Sequence, residues 1–186
     1  MRDFIRYGAI LTVICVISGV SLAFVYSKTS VIIEARQAKE AMKAMAVVLP
    51  SATDFEPIPA IELSAASGGA QGVVEAYLGK AAGSTVGAIV KVESAGYGGM
   101  ITMLVGMDTQ GVCQGMQVIS QSETPGLGAN VKEEPFYGQF AGKKGVLSLV
   151  KEGGQIDGIS GATISSKGAV AGVNKALNIA KALLGM

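Results

Sequence analysis

From Tyr7 to Ser27 the chain has no charged side chain (YGAILTVICVISGVSLAFVYS). As a helix this run spans ~30 Å, the hydrocarbon thickness of a bilayer. Tyr7 and Tyr26 stand at its two ends, where amphipathic aromatics favour the membrane interface. A cleaved signal peptide is the competing reading, with Ser21-Leu22-Ala23 as its small-residue cleavage site. The uncharged run is longer than a signal-peptide core of ~7–15 residues, so the expectation is a retained anchor that touches membrane lipid. Whatever folds beyond Ser27 must then fold as a tethered unit.

Charge does not orient that anchor. Arg2 and Arg6 precede it with the amino terminus, but Lys28, Arg36, Lys39 and Lys43 follow it. The 186 residues suffice for an anchor and one ordinary domain. A net charge of +1 makes no field for a polyanion, so nucleic acid is not an expected partner. The chain has no histidine. That excludes a Ser-His-Asp triad, a histidine-ligated haem and most zinc sites. Cys15 lies in the uncharged run and Cys113 stands alone beyond it. Two isolated thiols cannot hold an iron–sulfur cluster, which needs about four. Both read as small buried hydrophobes rather than a disulfide. No catalytic residue and no metal ligand is expected.

Thr29 to Leu49 reads as a helix, being rich in Ala, Glu, Lys, Gln and Met, and Pro50 ends it. Residues 51–67 read as a connector with one short strand. Thr85 to Ser94 alternates, Met100 to Met107 follows, and Val112 to Ser120 returns after an Asp108-Thr109-Gln110-Gly111 turn. Val146 to Val150 reads as a further strand, closed by a turn at Glu152-Gly153-Gly154. A last helix begins after Thr163, with Val170, Val173, Leu177 and Leu184 on one face. The 26 glycines read as tight turns and close backbone approaches. The expected fold class is α+β, a mostly antiparallel sheet with flanking helices behind a single N-terminal transmembrane helix. Its parts are a tail at 1–6, the span at 7–27, a connecting helix at 28–50 and a domain at 51–186.

Two glycine-bearing motifs carry the chemistry. Asp157-Gly158-Ile159-Ser160-Gly161-Ala162-Thr163 leads into the last helix. A helix N-terminus gathers unpaired N–H groups and the positive end of the dipole, so it favours a phosphate, and Thr163 would stand there. On these residues alone, a plain cap by Ser160 or Thr163, with Gly161 easing the turn, is equally open. Glu123-Thr124-Pro125-Gly126-Leu127-Gly128 follows the third strand. Glycines on either side of Leu127 would let backbone approach a flat ligand while the leucine covers its face. A bare turn is the alternative.

Taken jointly, in this order and spacing, the two motifs resemble those of FMN-binding domains. In that family the threonine of the second motif is esterified to the phosphate of FMN. The same pair occurs in the G subunit of the Rnf complex and the C subunit of sodium-translocating NADH:quinone reductase. Ala95-Gly96-Tyr97-Gly98-Gly99 is similar to the family's glycine–tyrosine–glycine element between two strands. The short chain and the surroundings of Ser160-Gly161-Ala162-Thr163 are closer to the G subunit. The resemblance implies covalent FMN on Thr163, with cofactor contacts from Tyr97, Glu123, Thr124, Gly126, Leu127, Gly128, Ser160, Gly161 and Ala162. It implies a flavin transferase, using FAD and magnesium, that recognises Asp157, Gly158, Ser160, Gly161, Ala162 and Thr163. It also implies a cell-membrane protein with an extracytoplasmic C-terminal domain, passing electrons between the other membrane subunits of a complex that couples ferredoxin and NAD to ion movement. Two other readings stand beside it: a free-standing anchored flavoprotein of an extracellular electron-transfer chain, and an anchored binding or sensing module without flavin. Lys167, one turn past Thr163, could offset phosphate charge, but a solvated lysine is the plainer expectation.

Overall fold

The computed structural model describes residues 41–186, together with Tyr7, Leu11, Thr12, Cys15, Val16, Ser18, Gly19, Ser21, Ala23 and Tyr26. The chain divides into two compact units, Met1–Met42 and Lys43–Met186. In the first, the described residues of the uncharged run are all helical and all exposed, Cys15 included. The expectation of a buried Cys15 is thereby corrected: it is exposed. No helix among the described residues is long and apolar enough to cross a membrane. Most of the expected span, the tail at 1–6 and the expected helix before residue 41 lie outside the described residues.

The second unit is built on a five-stranded antiparallel meander. Its strands are β1 (Asp54–Pro57), β2 (Val73–Ala81), β3 (Ser84–Ala95), β4 (Met100–Asp108) and β5 (Cys113–Ser120), in the order β1-β2-β3-β4-β5. The three strands read from alternation are β3, β4 and β5. Asp108 closes the β4–β5 turn: its Oδ1 accepts the N–H groups of Gln110 and Val112, at 2.8 and 2.9 Å. β2 was not expected. It joins β3 through Ala82 and Gly83, both at positive φ (49° and 81°), as a two-residue hairpin turn of primed type requires.

Period-two alternation gives the sheet two buried faces. Ala88, Val90 and Val92 of β3 and Ile101, Met103, Val105 and Met107 of β4 join the main core. The principal helix covers that face. It is α4 (Thr163–Leu183), where the sequence placed it; α1, described over residues 41–48, α2 (Ala60–Ser67) and the single turn α3 (Glu134–Tyr137) precede it. Val170, Val173 and Leu177 of α4 are buried as expected. Cys113 is buried, and burial pushes its thiol up to about 12. On the opposite face, Ile89 and Leu104 are buried. There the last turn of α1 meets glycines of β4 and β5, and Leu49 after it meets Gly87 of β3. A Cβ on Gly106 would overlap the carbonyl oxygen of Val48, and one on Gly115 would lie 3.2 Å from Val48 Cα.

Two expectations fail. Residues 51–67 hold β1, as expected of one short strand, but also α2, whose C-terminus is closed by Gly68 at φ 58°. Leu63 is the sole buried residue of α2, so no apolar stripe announced it. Val146 to Val150 is not a strand of the sheet. Its backbone bonds go elsewhere: Asn174 of α4 accepts from Leu147 N at 2.8 Å and donates to Leu147 O at 2.7 Å. One isolated parallel bridge, Leu149 to Ile156, is what remains of the strand pairing.

Gly106→Ala is expected to destabilise the domain by about 1–3 kcal/mol, because the methyl must displace α1 backbone rather than a side-chain tip. Chemical unfolding checks it; an unchanged midpoint would mean that α1 does not press on β4.

Candidate functional site

The first turn of α4 has no side-chain cap. Its N-cap residue is Ala162, and Thr163 is the first helical residue, exposed. Neither Ser160 nor Thr163 caps the helix, so the plain-cap reading is removed. The leading N–H groups of a 21-residue helix therefore have no capping side chain as acceptor. A missing cap costs about 1 kcal/mol, and an anion at the same point would offset that cost. The backbone arrives by Gly161 at φ 75°, a left-handed conformation in which a Cβ is disfavoured.

Ser166, wholly buried, fixes the approach. Its hydroxyl accepts from Ile159 N and donates to Ala162 O, both at 2.9 Å. Upstream, Gln139 clasps Asp157: Asp157 N donates to its Oε1 at 2.7 Å, and its Nε2 donates to Asp157 O at 3.3 Å. The whole Asp157–Thr163 segment is thus held from both ends.

Three segments meet beside Thr163 in a cleft of about 440 Å³, within the ~300–1,000 Å³ usual for small-molecule sites. The β3–β4 turn supplies Tyr97, the loop after β5 supplies Glu123, Thr124, Leu127 and Gly128, and the start of α4 supplies Gly161 to Ser165. Tyr97 is 71% exposed and Leu127 44%, so both present apolar surface at the mouth. The structure therefore brings together Tyr97, Glu123, Thr124, Leu127, Gly128, Gly161, Ala162 and Thr163. Gly126 and Ser160 stay outside the lining. Gly126 has open space around it and a φ of 75°, so turn geometry explains it without a close ligand. Asp157 and Gly158 line a neighbouring cavity of about 530 Å³ with Glu133, Phe136 and Gln139. That cavity is larger, but Thr163 does not reach it, and the chemistry expected of the motif stays with the smaller cleft.

Glu123 is the buried acid of the site. Its Oε1 accepts Gly98 N at 3.0 Å and its Oε2 accepts the Ser165 hydroxyl at 2.5 Å. A Cβ on Gly128 would overlap Glu123 Oε2 and crowd Ser165 Oγ. Gly128 is thus a glycine because of this pair, and the sequence reading that assigned it to a close ligand needs that addition. Lys167 pairs with Glu152 at 2.6 Å and is half exposed, in keeping with a solvated lysine. Sequence reasoning missed Ser165, Ser166 and Gln139, and it named Gly98 only as part of the glycine–tyrosine–glycine element. Two adjacent serines in the first turn of an apolar helix were a usable signal for the first two; Gln139 had none.

The FMN-binding domain family matches residues 96–178, which contain all three cleft segments. The G subunit of an ion-translocating oxidoreductase complex from Methanosarcina acetivorans is 37% identical over 97% of this chain and 96% of its own length. The G subunit of a Na(+)-translocating ferredoxin:NAD(+) oxidoreductase complex from Acetobacterium woodii is 36% identical over 94% of this chain and 90% of its own. The chain belongs to this G-subunit family. A related fold is seen in the C subunit of Na(+)-translocating NADH-quinone reductase from Parabacteroides distasonis. The two are 29% identical, with a TM-score of 0.51 over 60% of this chain and 63% of that one. Within the family match, Thr163 is the exposed hydroxyl at an uncapped helix start.

Gly128→Val is expected to cost about 1–3 kcal/mol by prising Glu123 from Ser165. Urea unfolding of the protein without flavin tests this. Unchanged stability there, with a changed flavin spectrum in the loaded protein, would return Gly128 to a purely ligand-facing role.

Proposed function

We propose that this member of the G-subunit family carries FMN on Thr163 through a phosphoester and passes electrons between neighbouring subunits of a membrane-bound, ion-translocating ferredoxin:NAD oxidoreductase complex. The observation that carries the reading is the exposed Thr163 hydroxyl at the uncapped start of α4, on a cleft contained in the FMN-binding family match. The residues present fit such a group. The N–H groups of the first α4 turn suit a phosphate, and Gly161 and Ala162 leave room beside it. Tyr97 and Leu127 offer apolar surface for a flat ring, with Thr124 and Glu123 as polar neighbours. When bound, FMN supplies the redox chemistry, and the protein supplies position and surroundings.

The Asp157–Thr163 segment, secured by Gln139 and Ser166, is the part that a flavin transferase would recognise. Residues 7–27 form the single anchor, supported by their lack of charge and by the exposed helical positions described there. Residues 1–6 are then a tail, 28–50 the connecting helix and 51–186 the extracytoplasmic domain. Relatives that are subunits of ion-translocating complexes favour a complex over a free-standing flavoprotein.

Native protein is expected to give a fluorescent band under ultraviolet light on a denaturing gel, and Thr163→Ala to abolish it. Because Thr163 is exposed and caps nothing, the substitution should change stability by less than about 0.5 kcal/mol. A Thr163→Ala protein that keeps flavin through denaturation would overturn the assignment. Co-purification with other membrane subunits separates the complex from a free-standing carrier.

The anchor has its own test. The mature chain should stay in the membrane fraction through a carbonate wash, with its amino terminus near Met1. An amino terminus near Phe24 would show a cleaved signal instead.

A further inference from the structure

We propose that Glu123 is a positioning residue: its buried side chain braces the Tyr97 turn against the first turn of α4 and so sets the seat of the flavin ring. This rests on the attachment of FMN to Thr163 proposed above.

Glu123 is 6% exposed and its partner Ser165 1%. One oxygen takes the Gly98 N–H, the other the Ser165 hydroxyl. One oxygen thus meets a backbone N–H and the other a side-chain hydroxyl. The acid therefore links two segments that no strand pairing joins, since Gly98 lies in the β3–β4 turn and Ser165 in α4. The space around it is kept by glycine, because a Cβ on Gly96 or Gly128 would overlap its carboxyl atoms. A buried acid is costly unless every bond is made, so a brace of this kind is specific about geometry. The two parts it joins both line the cleft, through Tyr97 in the turn and Thr163 at the start of α4. Glu123 thus acts on the ring through its walls, and through its charge.

The test uses the full chain matured in a host that contains the flavin transferase. Glu123→Gln keeps the shape and one acceptor but removes the charge. Ser165→Ala keeps the charge but frees one end of the brace. Each loaded protein is read by visible flavin absorption and by midpoint potential. Glu123→Gln should shift the potential upward, because a nearby negative charge opposes electron addition. Ser165→Ala should shift the absorption bands. Loaded variants with wild-type spectra and potential would overturn the proposal. So would folded variants that carry no flavin, which would place Glu123 in attachment rather than in seating the ring. If Glu123→Gln does not fold, Ser165→Ala, which removes a single oxygen, decides by its absorption bands. A wild-type chain without flavin on Thr163 would instead overturn the attachment itself, so the two failures are told apart.

Discussion

The site depends on how closely α4 lies against the sheet. A Cβ on Gly168 would overlap the carbonyl oxygen of Ala95, and one on Gly172 would meet the Met103 sulfur at 2.9 Å. Helix and sheet backbones therefore approach more nearly than ordinary side chains allow. Ala95 is the last residue of β3, directly before the Tyr97 turn. The contact at Gly168 consequently fixes the start of α4 beside that turn. Deeper along the helix, Ala169, Val173, Ala176 and Ala180 fill the core with small or branched side chains. The helix cannot slide or tilt without opening that core, and Thr163 inherits the rigidity.

A second close approach works on the other face. The end of α1 presses on the glycines of β4 and β5, and Leu49 after it, fully buried, meets Gly87 of β3. On both faces of the sheet some backbones thus approach closely, Gly168 against Ala95 and Gly106 against Val48. This accounts for much of the glycine in the chain, which turns alone do not explain. It also fits a carrier protein. A redox group must return to the same surroundings after each electron, and a scaffold with little room to rearrange supports that.

What the sequence revealed follows from how local each signal is. α4 has a regular apolar face, and β3 to β5 alternate, so their types could be read from short windows. β2 was hidden because its turn, Ala82-Gly83, is a weak hairpin signal; the strained Ala82 is tolerated where Asn or Asp is usual. α2 was hidden because eight residues with one buried leucine make no pattern. Val146 to Val150 misled for the opposite reason. It is apolar, but Val146 is 82% exposed and the backbone is claimed by Asn174, 27 residues away from Leu147. At the site, Thr163 and the loop at 123–128 were legible as motifs. The bond from Glu123 to Ser165 was not, since it joins residues 42 positions apart and only the packing of α4 brings them together.

The openness of the cleft bears on why a covalent link suits it. A site that holds a cofactor by contact alone buries most of the ligand's surface, commonly ~70–90%. Here the mouth is formed by exposed Tyr97 and Leu127, and by Ile164, itself 54% exposed. Closing these residues over a ring would raise retention but would also set a layer of protein between the ring and any redox partner. The ester proposed at Thr163 would separate the two demands. Retention would then come from a bond at the helix start, and the mouth of the cleft could stay open to a neighbouring protein. The same division explains the distribution of polar order in the site. Side-chain hydrogen bonds from Gln139 and Ser166 hold Asp157, Ile159 and Ala162, which lead into Thr163. At the Tyr97 side of the cleft the buried polar brace is Glu123, tied to Gly98 N–H and the Ser165 hydroxyl.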